Sequence, residues 1–392
     1  MLPKAGATLL WRDANGREPC SQPSFGREEL GAERRDGRAR RRSTRRLEPH
    51  LPRRMPEVGV TRHVVCCATI MPVRTLGALP NLVVLSGSAH PALGVAVAQE
   101  LCLPLGRCRT GRFPDGELHV EVDDGEVEGQ DVAIIQPTPS GGSDSLVELL
   151  LIADACHRAG AATIVAVVPY LAYSRQDTRK RAGEPLGVRV AAQILGTAPL
   201  ELVVTIDPHS DALAASLEIP MDTSSAARLL VEALKPHLPT RDVVVVAPDL
   251  GAVKLAREYA RLLRAPLAVV HNLRTSKDDP PIERVAGDIR GLRPLIVDDI
   301  LSTGATVIAA ARAVRDHGSQ KEITVAATHA VLAPGVIDRL REAGLRRLFV
   351  TDTLPTSVSD PTVTVVSIAS LLARCIRRIT TRRRKVNLML HP

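Results

Sequence analysis

The feature that most constrains the fold is a regular alternation of short apolar runs and amphipathic helical runs across residues 81 to 376. The apolar runs are rich in Val, Ile and Leu, which is typical of strands that a parallel sheet buries on both faces. The segments between them carry apolar residues at helical spacing. This alternation predicts parallel sheets covered by helices. The predicted strands span residues 81–86, 131–136, 162–168, 202–206, 243–247, 267–271, 295–297, 323–329, 348–351 and 363–367.

These ten strands are more than we expect in a single sheet domain. We therefore predict an α/β fold with two doubly wound parallel-sheet domains in tandem, an N-terminal domain at 79–220 and a C-terminal domain at 221–380. Ligands of such folds bind at the C-terminal ends of the strands and in the crevice between domains. We expect the functional residues there.

Both ends of the chain are basic. Residues 1–78 are rich in Arg, Pro and Gly with little apolar periodicity, which predicts a disordered basic extension. An organelle transit peptide is a second reading, although acidic residues interrupt it. A third reading is a mispredicted start, with translation beginning at Met55 or Met71. Residues 381–392 form a second basic tail.

The net charge of +8 does not describe the core, because residues 80 to 376 hold 29 Lys and Arg against 35 Asp and Glu. A nucleic-acid groove needs a basic face, so none is predicted there. No apolar run reaches the ~18 residues of a membrane span. The seven scattered cysteines lack a C-x-x-C pattern and predict reduced thiols in a cytoplasmic setting, with Cys156 in the core.

The most informative stretch runs from Leu295 to Thr306. A predicted strand leads into Asp298 and Asp299, and a loop from Ser302 to Thr306 then leads into a helix. Such a loop points backbone N–H groups and the helix dipole at one place, which suits a phosphate. The carboxylates would repel that phosphate, so they should face hydroxyl donors or a metal. A phosphorylated sugar satisfies both ends; the alternative is a turn in which Ser302 caps the helix.

Four further groups follow predicted strands. The turn Phe-Pro-Asp-Gly-Glu at 113–117 carries two acids, with a surface turn as its alternative. The loop at 169–185 holds four Lys and Arg and is long enough to clamp phosphates as a lid. His209 suits a hard metal site, with a structural hydrogen-bonding role as its alternative. Asp249 lies in a glycine turn.

Together these motifs resemble the ribose-phosphate diphosphokinase family, also called phosphoribosyl pyrophosphate synthetases. The resemblance covers roughly residues 82 to 380. The matching motifs are Phe-Pro-Asp-Gly-Glu at 113–117, Ser-Asp-Ser-Leu-Val-Glu-Leu-Leu at 143–150, Tyr-Ser-Arg-Gln-Asp at 173–177, Asp-Pro-His at 207–209, Pro-Asp-Leu-Gly at 248–251, and the Asp298 to Thr306 stretch.

The resemblance implies transfer of diphosphate from Mg-ATP to the C1 hydroxyl of ribose 5-phosphate, giving 5-phosphoribosyl 1-diphosphate and AMP for nucleotide biosynthesis. It also implies a homo-oligomer whose subunits share an ATP site. The implied roles are ATP binding by Phe113, Asp115, Glu117, Arg175 and Gln176, Mg²⁺ binding by His209 and Asp249, ribose binding by Asp298 and Asp299, and 5-phosphate binding by Ser302, Thr303, Gly304, Ala305 and Thr306. This chemistry suits the residue types, since phosphoryl-type transfer depends on positioning and charge stabilisation.

The sequence departs from the family at the catalytic pair. Arg274 matches, but Asn272 stands where the family has a lysine, and Lys277 lies a few residues on. Ala252 replaces a glycine that many relatives carry. Two alternatives to an active synthetase stay open: a weak or silent regulatory paralogue, motivated by Asn272, and an enzyme that uses another phosphosugar or diphosphate donor.

Overall fold

The computed structural model describes residues 79, 81–139, 141, 143–238, 242–273, 282–320 and 322–390, and for 272–273, 282–283 and 382–390 it describes the backbone alone. The predictions for residues 1–78, for a start at Met55 or Met71, and for Arg274 and Lys277 lie outside the described residues.

The described chain alternates strands and helices. Its strands are β1 (Leu82–Ser86), β2 (Cys108–Arg112), β3 (Leu118–Val122), β4 (Asp131–Ile135), β5 (Thr163–Val167), β6 (Leu202–Ile206), β7 (Met221–Ser224), β8 (Val243–Ala247), β9 (Leu267–Leu273), β10 (Ile282–Ala286), β11 (Arg293–Leu301), β12 (Ile323–Ala330), β13 (Leu345–Thr351) and β14 (Val363–Val366). Its α-helices are α1 (Pro91–Leu101), α2 (Asp124–Val127), α3 (Ser143–Arg158), α4 (Gly187–Gly196), α5 (Ala212–Ser216), α6 (Ala227–Leu234), α7 (Val253–Leu263), α8 (Ala305–Asp316), α9 (Val336–Glu342) and α10 (Ala369–Leu390).

The first sheet has five parallel strands in the order β1-β4-β5-β6-β7. Its central strands, β4, β5 and β6, are mostly apolar because helices cover both faces. Side chains of α3 and α4 pack with one face, and those of α1, α6 and α10 pack with the other. Separate from this sheet, β2 and β3 form an antiparallel hairpin.

The second sheet has seven strands in the order β10-β9-β8-β11-β12-β13-β14. All neighbours pair in parallel except β9 and β10, which are antiparallel. The four strands β8, β11, β12 and β13 form the buried centre. The predicted class of two parallel-sheet α/β domains in tandem is confirmed.

The last helix returns to the first sheet. α10 packs against α1, and the guanidinium of Arg377 donates to the carbonyl oxygen of Glu100 at 2.6 Å. One continuous apolar core includes Leu93 of α1, Leu372 of α10 and Phe349 of the second sheet. The two sheets are therefore joined by a shared core as well as by the connecting chain.

Several elements differ from the sequence-based expectation. β11 continues through the two aspartates to Leu301, whereas the sequence predicted a strand ending at Val297. The hairpin and the edge strands β7 and β10 were not predicted, because each is short and lacks a continuous apolar run. β7 pairs with β6, so the first sheet extends to Ser224, just beyond the proposed domain boundary. α10 runs to Leu390, so the predicted basic tail begins inside a helix.

The cysteines within the described ranges are free: Cys102, Cys108, Cys156 and Cys375. Cys156 is fully buried, as predicted, and burial raises the pKa of its thiol to about 12. Within the same ranges, no helix combines the length and apolarity that crossing a membrane requires.

Candidate functional site

The strand order of the second sheet reverses between β8 and β11. From β8 the chain adds β9 and β10 on one side and then returns to β11 on the other. A crevice opens at the C-terminal strand ends of such a switch point, because the following loops leave in opposite directions. Asp249 follows β8, while Asp298, Asp299 and the loop at 302–306 lie at the end of β11. The fold thus gathers these predicted site residues at one crevice.

The two aspartates of β11 are held by their own backbone. The N–H of Asp299 donates to Oδ1 of Asp298 at 3.0 Å, and the N–H of Ile300 donates to Oδ1 of Asp299 at 2.9 Å. Asp298 and Ile300 pair with Ala327 and His329 of β12, so Asp299 lies within a strand of continuous register. Its Oδ1 is used by the N–H of Ile300, and its Oδ2 remains for a contact across the crevice.

That contact comes from the first sheet. Nδ1 of His209, just after β6, lies 2.7 Å from Oδ2 of Asp299 in β11. The His209 side chain keeps 33% of its surface exposed, so it borders the crevice. A residue predicted to bind metal and a residue predicted to bind ribose are thus direct neighbours across the two sheets.

The pKa values of Asp298, Asp299 and His209 in this crevice are all shifted. Burial, followed by the charge of Asp299, raises the pKa of Asp298 to about 8, and Asp249 adds to the rise. Burial opposes ionisation of Asp299 too, but its hydrogen bond and charge interaction with His209 outweigh burial and lower its pKa. The pKa of His209 is raised, first by the hydrogen bond with Asp299 and further by Asp177. The contributions of Asp299 and Asp249 to the rise at Asp298 come from neighbouring carboxylates, and such a group of carboxylates suits a cation.

The loop after β11 has the geometry of an anion site. Gly304 is the N-cap of α8 with φ at +77° and has no side chain to cap the helix, and the hydroxyl of Thr303 accepts from the N–H of Ala305 at a long 3.5 Å. The first turn therefore keeps N–H groups available for a ligand. Thr303, Ala305 and Thr306 are exposed, whereas Gly304 is buried. Ser302 does not act as the N-cap, so the alternative in which it caps the helix is wrong.

The back of this loop is fixed by the segment after β12. The N–H of Ala333 donates to the carbonyl of Ser302 at 3.1 Å, and Nη2 of Arg339 donates to the carbonyl of Thr303 at 3.1 Å. A Cβ on Gly304 would approach Cγ2 of Val336 to 3.0 Å. Only glycine fits there, because of both its positive φ and the closeness of α9.

The predicted ATP residues at 113–117 form the tip of the β2–β3 hairpin. The N–H of Phe113 donates to the carbonyl of Glu117, and the Phe113 ring packs edge-on against His119. The Phe113 side chain is 48% exposed, and Asp115 is exposed as well. Within the described residues, no hydrogen bond or ion pair joins this tip to the β11 carboxylates.

The other predicted ATP residues lie in the loop after β5. Arg175 and Gln176 are exposed, and the Gln176 side chain lies against the start of α4, where a Cβ on Gly187 would clash with it. Tyr173, at φ +67°, places its hydroxyl 2.8 Å from Oγ of Ser143.

The start of α3 anchors both of these segments. Besides the Tyr173 contact with Ser143, Nη2 of Arg112 donates to Oδ2 of Asp144 at 2.6 Å. The structure therefore attaches the hairpin and the basic loop to the same helix terminus, which a reading of the separate motifs did not reveal.

The predicted catalytic position lies in β9. The backbone of Asn272 pairs with Glu283 of β10, near the edge of the second sheet. Its side chain and the whole of Arg274 are outside the described residues.

Two residues near the site were missed by sequence reasoning. His329 is the next-to-last residue of β12 and contacts Asp207, and Arg339 lies on α9 behind the phosphate loop. A signal existed for His329, because a polar residue at the C-terminal end of a predicted parallel strand lies where ligands bind. Arg339 gave none, since an exposed arginine on a helix is ordinary.

Family models match two parts of the chain. The N-terminal domain of ribose phosphate pyrophosphokinase matches residues 82–198, and a phosphoribosyl synthetase-associated domain matches residues 272–389.

Named relatives extend the match over most of the chain. Ribose-phosphate pyrophosphokinase from Marinomonas sp. is 36% identical over 306 residues, covering 77% of this chain and 96% of that protein. Ribose-phosphate pyrophosphokinase 1, chloroplastic, from Arabidopsis thaliana is 35% identical over 303 residues, covering 76% of this chain and 75% of that protein. The crystal structure of phosphoribosylpyrophosphate synthetase from Mycobacterium smegmatis superposes with a TM-score of 0.71 at 36% identity, covering 77% and 99% of the two chains.

Proposed function

The chain belongs to the ribose-phosphate pyrophosphokinase family, and on that premise we propose that it transfers diphosphate from Mg-ATP to the C1 hydroxyl of ribose 5-phosphate. The C1 oxygen attacks the β phosphorus of ATP. The bond from that phosphorus to the oxygen bridging the α phosphate breaks, and AMP leaves. The product is 5-phosphoribosyl 1-diphosphate.

One observation supports this proposal above the others. A carboxylate pair and a helix start with glycine at its N-cap stand side by side at the end of β11, with His209 facing the pair from the other sheet. In this proposal Asp298 and Asp299 accept hydrogen bonds from the ribose hydroxyls. The loop from Ser302 to Thr306 binds the 5-phosphate through backbone N–H groups and hydroxyls. Acceptor binding thus needs both the carboxylates and the loop.

The donor set suits a hard cation that arrives with its substrate. Among the described residues no three His, Cys, Asp or Glu side chains form a ready-made metal cluster. Mg²⁺ commonly uses one or two protein carboxylates and completes its shell with water and substrate phosphates. We propose that Asp249 and His209 hold it, since Asp249 is exposed at the crevice whose charge favours a cation. When bound, Mg²⁺ would neutralise charge on the transferred phosphates.

For ATP we propose the hairpin tip, with Phe113, Asp115 and Glu117, together with Arg175 and Gln176. The half-exposed Phe113 ring offers a surface for a base to stack on, and Arg175 is an exposed cation for phosphates. Within one chain, the described residues show no hydrogen bond or ion pair between the tip and the β11 carboxylates. We therefore propose a homo-oligomer in which neighbouring subunits share the ATP site. The free cysteines in the described ranges support the proposed cytoplasmic setting.

The deciding experiment follows AMP release from Mg-ATP in the presence of ribose 5-phosphate. We expect AMP formation that depends on ribose 5-phosphate and disappears in Asp298→Ala/Asp299→Ala. Wild-type protein that forms no more AMP than this double variant would overturn an active synthetase. A panel of other phosphosugars and diphosphate donors, run in parallel, detects a different substrate pair.

A matched pair of threonine variants tests the assignment of the loop. Thr303→Val should weaken ribose 5-phosphate binding in calorimetry and leave ATP binding unchanged, because it removes a hydroxyl at the proposed phosphate site. Thr364→Val, in β14, is the control. Equal weakening of both ligands by Thr303→Val contradicts the assignment.

A second candidate is a weak or silent regulatory paralogue of the same family, favoured by Asn272 at the position of the family lysine. It predicts that both ligands raise the melting temperature while AMP is not formed. This candidate is excluded if the wild-type chain clearly forms AMP and Asn272→Lys does not increase the rate.

A further inference from the structure

Two residues near the end of β12 contact Asp207, which follows β6 of the first sheet. Nε2 of His329 lies 3.2 Å from the carbonyl oxygen of Asp207, and the hydroxyl of Thr328 donates to Oδ2 of Asp207 at 2.7 Å. Both β12 residues are buried, with exposures of 2% and 0%. Two adjacent side chains of one sheet therefore hold one residue of the other.

The hydrogen bonds define the state of the His329 ring. A carbonyl oxygen only accepts, so Nε2 carries the proton. Nδ1 is then free of a proton and lies 3.0 Å from Oγ1 of Thr353. Burial lowers the pKa of His329, in agreement with a neutral ring. The ring centroid also lies 5.0 Å from that of Tyr170, which begins the basic loop. His329 thus has a single orientation in which it can satisfy both neighbours.

Asp207 needs such support. Its φ is +37°, a left-handed conformation that a residue with a Cβ rarely adopts. Besides the two bonds from β12, its N–H donates to the carbonyl of Ser224, and its carboxylate accepts from the N–H of Ala226. Backbone strain of this kind persists only where several contacts hold it, and it is concentrated at functional sites.

The strained residue directly precedes Pro208 and His209. The direction of Asp207 therefore determines where His209 points, and His209 points at Asp299. The register of the second sheet adds a second link, because His329 pairs with Ile300, the neighbour of Asp299. Thr328 and His329 therefore contact the residue that orients His209, and they lie in the strand that pairs with the Asp299 strand β11.

We propose that His329 and Thr328 are positioning residues that hold Asp207 in its left-handed conformation and thereby direct His209 toward Asp299. The geometric part of this inference concerns the chain alone. Its consequence for turnover rests on the proposed function.

The test uses three variants of the full chain. His329→Phe keeps the ring and removes both hydrogen bonds, while His329→Gln retains a side-chain N–H that can reach the Asp207 carbonyl. Thr328→Val removes the hydroxyl and keeps nearly the same shape. If His329→Phe folds poorly, Thr328→Val tests the proposal instead. Ile152→Ala, in the core of α3, is the control for general loss of stability.

Crystal structures and kinetics are the two readouts. We expect His329→Phe to return Asp207 to negative φ and move His209 away from Asp299. Its kcat should fall about tenfold to hundredfold, because a small misplacement near the reacting groups lowers the rate by that order. Its KM for ATP should change little. His329→Gln should recover most of the rate. Thr328→Val should change φ and kcat in the same direction, and Ile152→Ala should lower only the melting temperature.

The outcomes separate the two proposals. A wild-type chain that forms no AMP removes the proposed function, and the crystal structures still test the geometry. The positioning role is overturned by variants of His329 and Thr328 that keep the 2.7 Å contact between His209 and Asp299 and a wild-type kcat. It is also overturned by His329→Gln that is as impaired as His329→Phe.

Discussion

His209 and Asp299 belong to different sheets, yet Nδ1 of the histidine and Oδ2 of the aspartate are 2.7 Å apart. Each changes the pKa of the other toward the charged form. The pair therefore connects the two halves of the crevice at the point where acceptor and cation are proposed to meet.

The first prediction concerns the charge of that pair. Asp299→Asn keeps the shape and removes the charge, so kcat for AMP formation should fall about tenfold to hundredfold, the worth of a hydrogen bond to a charged group. Asp338→Asn, which removes an exposed carboxylate paired with Arg341, is the control and should be neutral. A rate within twofold of wild type for Asp299→Asn would contradict the assignment.

The second prediction concerns Gly304. Alanine there must adopt φ near +77° and contact Val336, and left-handed backbone costs an L-residue about 1–2 kcal/mol. We expect KM for ribose 5-phosphate to rise about tenfold while KM for ATP stays unchanged. Val336→Ala in the same chain should restore part of the affinity, since it removes the contact but not the strain. Gly196→Ala, whose Cβ meets open space, is the matched control. Unchanged binding by Gly304→Ala refutes a role for this loop geometry.

The third prediction concerns Arg339, whose guanidinium bonds the carbonyls of Thr303 and Pro334. Arg339→Ala should raise KM for ribose 5-phosphate severalfold with little change in kcat, because the loop loses its support. Arg339→Lys should recover little, since an ammonium lacks the planar fork that reaches two carbonyls. Arg341 lies on the same helix but pairs with Asp338 and Asp360. Arg341→Ala therefore tests whether the loss of any arginine from α9 raises KM. Equal effects of the Arg339 and Arg341 substitutions contradict a specific role.

The fourth prediction concerns Asn272. Asn272→Lys should raise kcat by tenfold or more, because a cation beside a transferred phosphoryl group contributes about a thousandfold or more in related chemistry. Asn272→Gln adds length without charge and should leave the rate unchanged. Steady-state AMP release measures both. A lysine variant no faster than the wild type shows that another group of this chain already performs that task.

Much of the site could be read from the sequence because its residues follow apolar strands. The run at 295–297 is unmistakably buried, and Asp298 to Thr306 are consecutive, so their closeness needs no tertiary information. The end of β11 was misplaced because Asp298 and Asp299 are poor strand residues in isolation. The β12 register holds them extended, which no local preference reveals.

The contacts that cross between the sheets could not be read in advance. His209 and Asp299 are 90 residues apart, and Asp207 and His329 are 122 apart. The left-handed backbone of Asp207 follows from hydrogen bonds to residues far along the chain, not from its own identity. The hairpin around 113–117 was interpreted as a turn alone for a different reason, because β2 and β3 are short and largely exposed.

The contact between α1 and α10 sets an order of events during synthesis. Arg377 and Glu100 are separated by 277 residues, and the ribosome completes the N-terminal strands long before α10 exists. Until then the apolar face of α1 lacks its partner, and exposed apolar surface of that kind makes nascent chains prone to association. One face of the first sheet is thus formed early and covered late, once α10 has been synthesised.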